Sequence, residues 1–202
     1  RLLTESFWQY YERQADNYLG RFKGTPLTGE MFARAADQVH RETGIAVPVE
    51  LALAQAQQET SMGTKGRNPE TNPFNVGEWD NGKTVNHFDS TYEGVLAYYQ
   101  LIANDYLNGK SLGGLLDNFV NKEGNRYATD RDYELKLKNT MILKEFFEQK
   151  DQTLDAGTNG TVDTNARSVH PILSDFKKLN EYLINEGVLR GHDNHGAGQY
   201  GA

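Results

Sequence analysis

The chain's chemistry starts from a glutamate placed at the end of an apolar helical stripe. In residues 47–63, VPVELALAQAQQETSMG, Pro48 suits the first turn of a helix, where a missing N–H costs nothing. Val49, Ala52, Leu53 and Ala56 then recur at i, i+3, i+4 and i+7, one face of an α-helix. The same stripe, carried from Ala52 through Ala56, reaches Glu59 in the last turn before Gly63. A carboxyl at that place meets desolvation and the negative end of the helix dipole, and both favour its protonated form. A carboxylic acid protonated near neutral pH can donate a proton to a glycosidic oxygen. Spacing alone leaves a second reading open, in which Glu59 turns outward into water or accepts a capping hydrogen bond.

Further acidic and aromatic groups cluster downstream. Val76-Gly77-Glu78-Trp79 and Lys83 to Phe88 flank Asp80-Asn81-Gly82, and Asn-Gly between two such runs is a strong hairpin signal. A small β-hairpin would bring Glu78, Trp79, Asp80, His87 and Asp89 into one short region, or present them as solubilising surface charges. Glu93 completes Ser90-Thr91-Tyr92-Glu93, a capping box, and is read structurally. Tyr127 lies in the loop 124–129; a loop tyrosine is either a packing anchor or an aromatic face for a pyranose ring. His40 reads as a surface or half-buried helix residue rather than a ligand.

These groups need a helical body to position them. Residues 5–19 form an amphipathic aromatic helix with Thr4 or Ser6 as cap. Thr28 caps the next, whose inner face is Phe32, Ala35, Ala36 and Val39, and Thr43-Gly44 ends it. After the Glu59 helix, Gly, Asn, Pro and Thr dominate residues 63–89 and regular helix stops. Ser90 opens a helix running to Asn108-Gly109, Ser111 a shorter one to about Val120, and Asp130 a last long one to about Gln149. Residues 151–167 read as a polar linker, Pro171 opens another helix, and residues 190–202 are rich in Gly, His and Asn.

With 202 residues the chain is long enough for one domain of about 150 residues and an appendage. Its 11 Tyr and 9 Phe supply a substantial core, which excludes disorder throughout. The net charge of −7 and the lack of a basic cluster argue against nucleic acid, and no apolar run approaches a membrane span. With no cysteine there are no disulfides and no thiolate zinc site. His192 and His195 alone offer too few ligands for zinc, so no metal and no cofactor is expected. The chain opens on Arg1 with no signal-peptide pattern, and reads as a trimmed or mature segment.

Four ordered segments resemble one family. Leu53 to Gly63 is similar to the LAQAxxESGWG segment of bacterial glucosaminidases, glycoside hydrolase family 73, which include flagellar peptidoglycan hydrolases and autolysins. Gly44 to Pro48 resembles the lead-in to that segment, Asn72-Pro73-Phe74-Asn75-Val76-Gly77 resembles NLFGI, and Tyr127 to Tyr133 resembles YATDPxY. Phe88 to Glu93 also falls where the family begins its next helix. The likeness spans roughly residues 28–149.

The resemblance implies an α+β, mostly α fold: a lysozyme-like helical lobe, a small β-hairpin lobe and a glycan groove between them. It implies cleavage of the β-1,4 bond after N-acetylglucosamine in peptidoglycan glycan strands by a monomer that is periplasmic, secreted or bound to the cell wall. It carries the general acid onto Glu59 and the groove tyrosine onto Tyr127, with Asn72, Phe74 and Trp79 as further glycan contacts. Two departures stand out. Thr60-Ser61-Met62 replaces Ser-Gly-Trp, and the hairpin is short. Glu78, Asp80 and Asp89 are therefore all candidates for the second carboxylate, with Glu78 favoured by its place in a hairpin strand. A carboxyl separation of about 5–5.5 Å suits retention, and about 6.5–9.5 Å suits inversion. Participation by the substrate's acetamido group is a third route.

The expected organisation is an N-terminal helix (1–27), a catalytic domain (28–150), a linker (151–167), and a helix with the start of a possible following domain (168–202). Gly191 to Ala202 resembles the opening of lysostaphin-like zinc endopeptidase domains. Two other functions compete: a lytic transglycosylase or muramidase on the same fold, and a wall-binding module without activity.

Overall fold

The computed structural model describes residues 6–77 and 88–141. These residues are mostly helical, as the periodicity predicts. Helix α1 spans Phe7–Leu19 and α2 spans Gly29–Thr43. Helix α3 spans Val49–Thr60, α4 spans Thr91–Leu101 and α5 spans Leu112–Asp117. A sixth helix, α6, runs over 133–141 of the described residues.

Hydroxyl caps set most of the starts. The Ser6, Thr28, Ser90 and Ser111 side chains accept hydrogen bonds from the backbones of Gln9, Met31, Glu93 and Gly114. Each such cap contributes on the order of 1 kcal/mol. Of the two expected caps for α1, Ser6 is the one used, in a reciprocal capping box with Gln9. At α4 the Glu93 carboxylate instead accepts from Asp89, one residue before the cap.

Helix α3 is the central element. Val49, Ala52, Leu53 and Ala56 are buried as the stripe requires, but so are Glu50, Leu51, Ala54 and Gln55. Small residues let neighbours approach it on every side until Gln57, so the amphipathic reading understates its burial. The core around it is aromatic. Phe74 stacks on Tyr98 with ring centroids 3.7 Å apart, and Phe32 meets Phe74 and Tyr99 at 6.0 and 6.2 Å. Two glycines permit close approach. A Cβ on Gly29 would lie 2.3 Å from the Glu12 carbonyl oxygen, so α2 starts directly against α1, with Asp16 accepting the Gly29 N–H. A Cβ on Gly94 would lie 1.9 Å from the Thr71 carbonyl oxygen, so α4 lies directly on the loop that follows α3.

The structure shifts several boundaries. Pro48 is the N-cap of α3, one residue before the first turn. Its φ of −61° and ψ of 138° lead into the helix without belonging to it. Helix α4 does not run on as α-helix to Asn108. It passes into one π-helical turn over Ile102–Tyr106 before Leu107. Helix α5 stops at Asp117, short of Val120, and the chain after it makes an isolated bridge between Val120 and Arg126.

No β-strand occurs among the described residues, where the expected architecture was α+β. The hairpin around Asp80-Asn81-Gly82 falls on 78–87 and lies outside them, as do the end of the last long helix, the linker 151–167, the helix after Pro171 and the Gly- and His-rich tail. Among the described residues no helix is long and apolar enough to cross a membrane.

Candidate active site

Glu59 is the penultimate residue of α3 and half-buried. Each of its carboxylate oxygens accepts a hydrogen bond. The Tyr133 hydroxyl donates to Oε1 at 2.8 Å, and the Asn75 Nδ2 donates to Oε2 at 2.8 Å. The Asn75 amide also lies 3.3 Å from the Glu59 backbone carbonyl, one of the acceptors that a helix end leaves without an intrahelical partner. That second acceptor fixes which end of the carboxamide faces the acid, since both sites require N–H.

The Oε1 side continues into the core. Gln55, one turn before Glu59 and fully buried, donates Nε2 to the Tyr133 oxygen at 3.1 Å. Its Oε1 accepts from the Tyr98 hydroxyl. The chain Tyr98, Gln55, Tyr133, Glu59 therefore has one direction, with each hydroxyl proton pointing toward the carboxylate. Chains of this kind strengthen cooperatively in a low-dielectric interior. Burial, with the Glu59 charge adding to it, holds the Tyr133 and Tyr127 hydroxyls well above the ordinary tyrosine range. Burial does the same at Tyr98, followed by Tyr99 and Glu59. All three are neutral donors at any working pH.

The backbone after α3 is built for this placement. Ser61, Met62 and Gly63 have φ of 48°, 59° and 77°, three left-handed residues in a row. Such conformations cost of order 1–2 kcal/mol at a non-glycine residue and persist where the surroundings over-determine them. Here the Thr60 hydroxyl bonds the Pro73 carbonyl at 2.7 Å, and the Met62 side chain is fully buried. The turn folds the 72–77 loop back onto the helix end and delivers Asn75, itself at φ 52°, to Glu59.

A cleft of about 550 Å³ opens beside Asn75. Its walls are Asn75 to Gly77, then Leu101 just before the π turn and Tyr106 at its end, then Asn121 and the loop residues Asn125 to Thr129. Tyr127 lines it, half-buried, with its hydroxyl donating to the Phe74 carbonyl at 2.6 Å. Its ring stacks on Tyr133 at 6.0 Å and meets Tyr106 and Phe119 edge-on. An ion pair holds the loop: Arg126 bonds Glu134 at 2.7 Å and donates to the Ala128 and Asp130 carbonyls.

The other candidates fall in different places. Asn72 is buried, and both atoms of its amide bond the Val76 backbone, clamping the loop. Phe74 is fully buried under Tyr98. In this conformation neither offers a surface to a sugar. The reason is local: NPFNV makes a tight turn whose apolar member points into the core. Asp89 is exposed at the start of α4. Glu78, Trp79, Asp80 and His87 lie outside the described residues. His40 packs its ring near Trp8 at 5.9 Å.

Three participants escape the sequence reading: Asn75, Gln55 and Tyr133. Tyr133 reads from its spacing as helix packing, and Gln55 carries one signal only, a polar residue one turn before Glu59 on a buried helix. Asn75 carries none, because its partner is 16 residues away.

Comparison with curated proteins and with solved structures finds no match. The sequence profile of one family matches residues 33–144, more than half of the chain: Glucosaminidase, described as mannosyl-glycoprotein endo-beta-N-acetylglucosaminidase. The matched span contains Glu59, Asn75, Tyr127 and Tyr133 and every wall of the cleft. The chain thus belongs to the glucosaminidase family, glycoside hydrolases of the endo-β-N-acetylglucosaminidase type that serve cell-wall degradation.

Proposed function

We propose that this protein cleaves the β-1,4 bond on the reducing side of N-acetylglucosamine in peptidoglycan, with Glu59 as general acid. The observation that carries the reading is the Glu59 carboxyl, half-buried at a helix end and held on both oxygens beside a cleft lined by Tyr127. In this step Glu59 gives its proton to the glycosidic oxygen as the bond to the anomeric carbon breaks. The donors on its two oxygens then stabilise the carboxylate left behind, and that carboxylate can accept a proton from water in the second half of the reaction. Tyr127 supplies the aromatic wall.

The second carboxylate is assigned to Glu78. It follows Gly77 directly in the chain, and Gly77 lines the cleft. Among the described residues that line the cleft, the Arg126 charge is paired with Glu134, which suits an uncharged sugar.

The test is digestion of purified sacculi by the wild type and by Glu59→Gln, with the new glycan ends identified by mass spectrometry. Reducing N-acetylglucosamine ends are expected, and a loss of at least about a thousandfold in Glu59→Gln with unchanged circular dichroism. Full activity in that variant would refute the acid assignment. Anhydro-muramic ends would make the protein a lytic transglycosylase, and reducing muramic ends a muramidase. Binding to sacculi without new ends would make it a wall-binding module, and release of glycan from a high-mannose glycoprotein alone would move the substrate to the one in the family's description.

A further inference from the structure

The loop residue Asn75 stands at a position where the family segment that it resembles, NLFGI, has glycine. The backbone explains the glycine: φ here is 52°, in the left-handed region. Asparagine is among the few other residues that tolerate that region. Tolerance alone does not account for where the side chain goes. Its Nδ2 is 2.8 Å from Glu59 Oε2 and 3.3 Å from the Glu59 carbonyl, and Asn75 also lines the cleft.

We propose that Asn75 is a positioning residue for the acid, one that a glycine at this place could not be. The inference rests on Glu59 being the general acid. The carboxamide holds Oε2 and the end of α3 together, so the carboxyl keeps one rotamer relative to the cleft. An amide N–H donates and never accepts. It therefore favours the carboxylate over the carboxylic acid, and that preference grows as the proton leaves for the glycosidic oxygen. An interaction stronger in the transition state than in the ground state raises kcat and leaves KM nearly unchanged. Among the described residues, the tyrosines whose ionisation Glu59 disfavours are Tyr98 on α4, Tyr127 in the loop and Tyr133 on α6, all neutral.

The experiment compares wild type, Asn75→Gly, Asn75→Asp and Glu59→Gln on sacculi, with kcat, KM, a pH profile and a thermal melt for each. Asn75→Gly relaxes the backbone and removes only the amide. It is expected to keep its fold and melting temperature while kcat falls about 10- to 100-fold, the worth of one hydrogen bond to a charged group. The alkaline limb of its profile is expected to move to higher pH, because the acid form has lost a competitor. Asn75→Asp keeps the shape but sets a second carboxyl against Glu59. It is expected to be nearly inactive at neutral pH and to recover as the pH falls and the new group becomes a donor again.

Wild-type kcat and pH profile in Asn75→Gly, alongside an inactive Glu59→Gln, would overturn the proposal and leave a backbone role only. Activity in Glu59→Gln would remove the acid assignment and this inference with it. Should Asn75→Gly melt early, the acid-side recovery of Asn75→Asp decides, and its absence overturns the proposal.

Discussion

At the scale of single residues, the Glu59 carboxyl is held by two arms of different character. Asn75 acts at the surface of the cleft, while Tyr133 acts from inside, with Gln55 behind it. Their removal is expected to differ accordingly. Tyr133→Phe withdraws the donor to Oε1 and leaves the buried Gln55 N–H without its acceptor. An orphaned buried group costs about 1–3 kcal/mol. Tyr133→Phe should therefore lose about tenfold in kcat and also several degrees in melting temperature, whereas Asn75→Gly loses activity alone. Paired melts and digests distinguish the two, and a stable Tyr133→Phe protein would show that the Gln55 amide finds another acceptor.

At the scale of elements, the cleft's outer wall depends on one ion pair. Burial pushes the Glu134 carboxyl up, but the Arg126 guanidinium and the Phe119 N–H outweigh it and hold it below the ordinary glutamate range. A carboxyl lowered in the folded state stabilises above its unfolded value, about 4.3, and that contribution vanishes as pH falls through the folded value. Wild-type stability should then decline as pH falls from about 5 through the folded value, and Glu134→Gln should be less stable at pH 7 but flatter over that range, as urea melts at several pH values would show. The elements themselves were largely legible, since Ser6, Thr28, Ser90 and Ser111 announce helix starts by chemistry that acts within three residues. What was not legible acts over longer range. The π turn at Ile102–Tyr106 adds a residue without changing the apolar pattern around it, and the run of left-handed residues after α3 is imposed by Thr60 reaching Pro73. The fate of Phe74 was equally hidden, because an aromatic in a turn serves a ligand or the core according to which way the turn faces.

At the scale of the molecule, the folded unit extends beyond the span that defines the family. The match begins at residue 33, inside α2, yet α1 is joined to the core by buried polar contacts. The Tyr11 hydroxyl donates to the Val47 carbonyl at 2.7 Å, just before α3, and pairs with the Tyr99 hydroxyl of α4 at 2.7 Å. One side chain thus connects α1 to the start of the acid's helix and to α4. Tyr11→Phe leaves both partners unsatisfied in the interior, at about 1–3 kcal/mol, so its melting temperature should fall by about 3–10 °C. Activity per folded molecule should stay unchanged, because neither Tyr11 nor its two partners lines the cleft. A melt matching the wild type would show that α1 is an accessory layer.

The left-handed backbone around Glu59 also bears on any attempt to engineer heat resistance. Ser61 and Asn75 both hold φ near 50° without being glycine, and replacement by glycine relaxes such a residue. To a designer, Asn75→Gly would look as attractive as Ser61→Gly, since glycine holds that φ without strain. On the geometry above it is the change that lowers turnover and leaves the melting temperature where it was. Ser61, half-exposed at the C-cap of α3, is the position where the same relaxation leaves the acid's two donors in place.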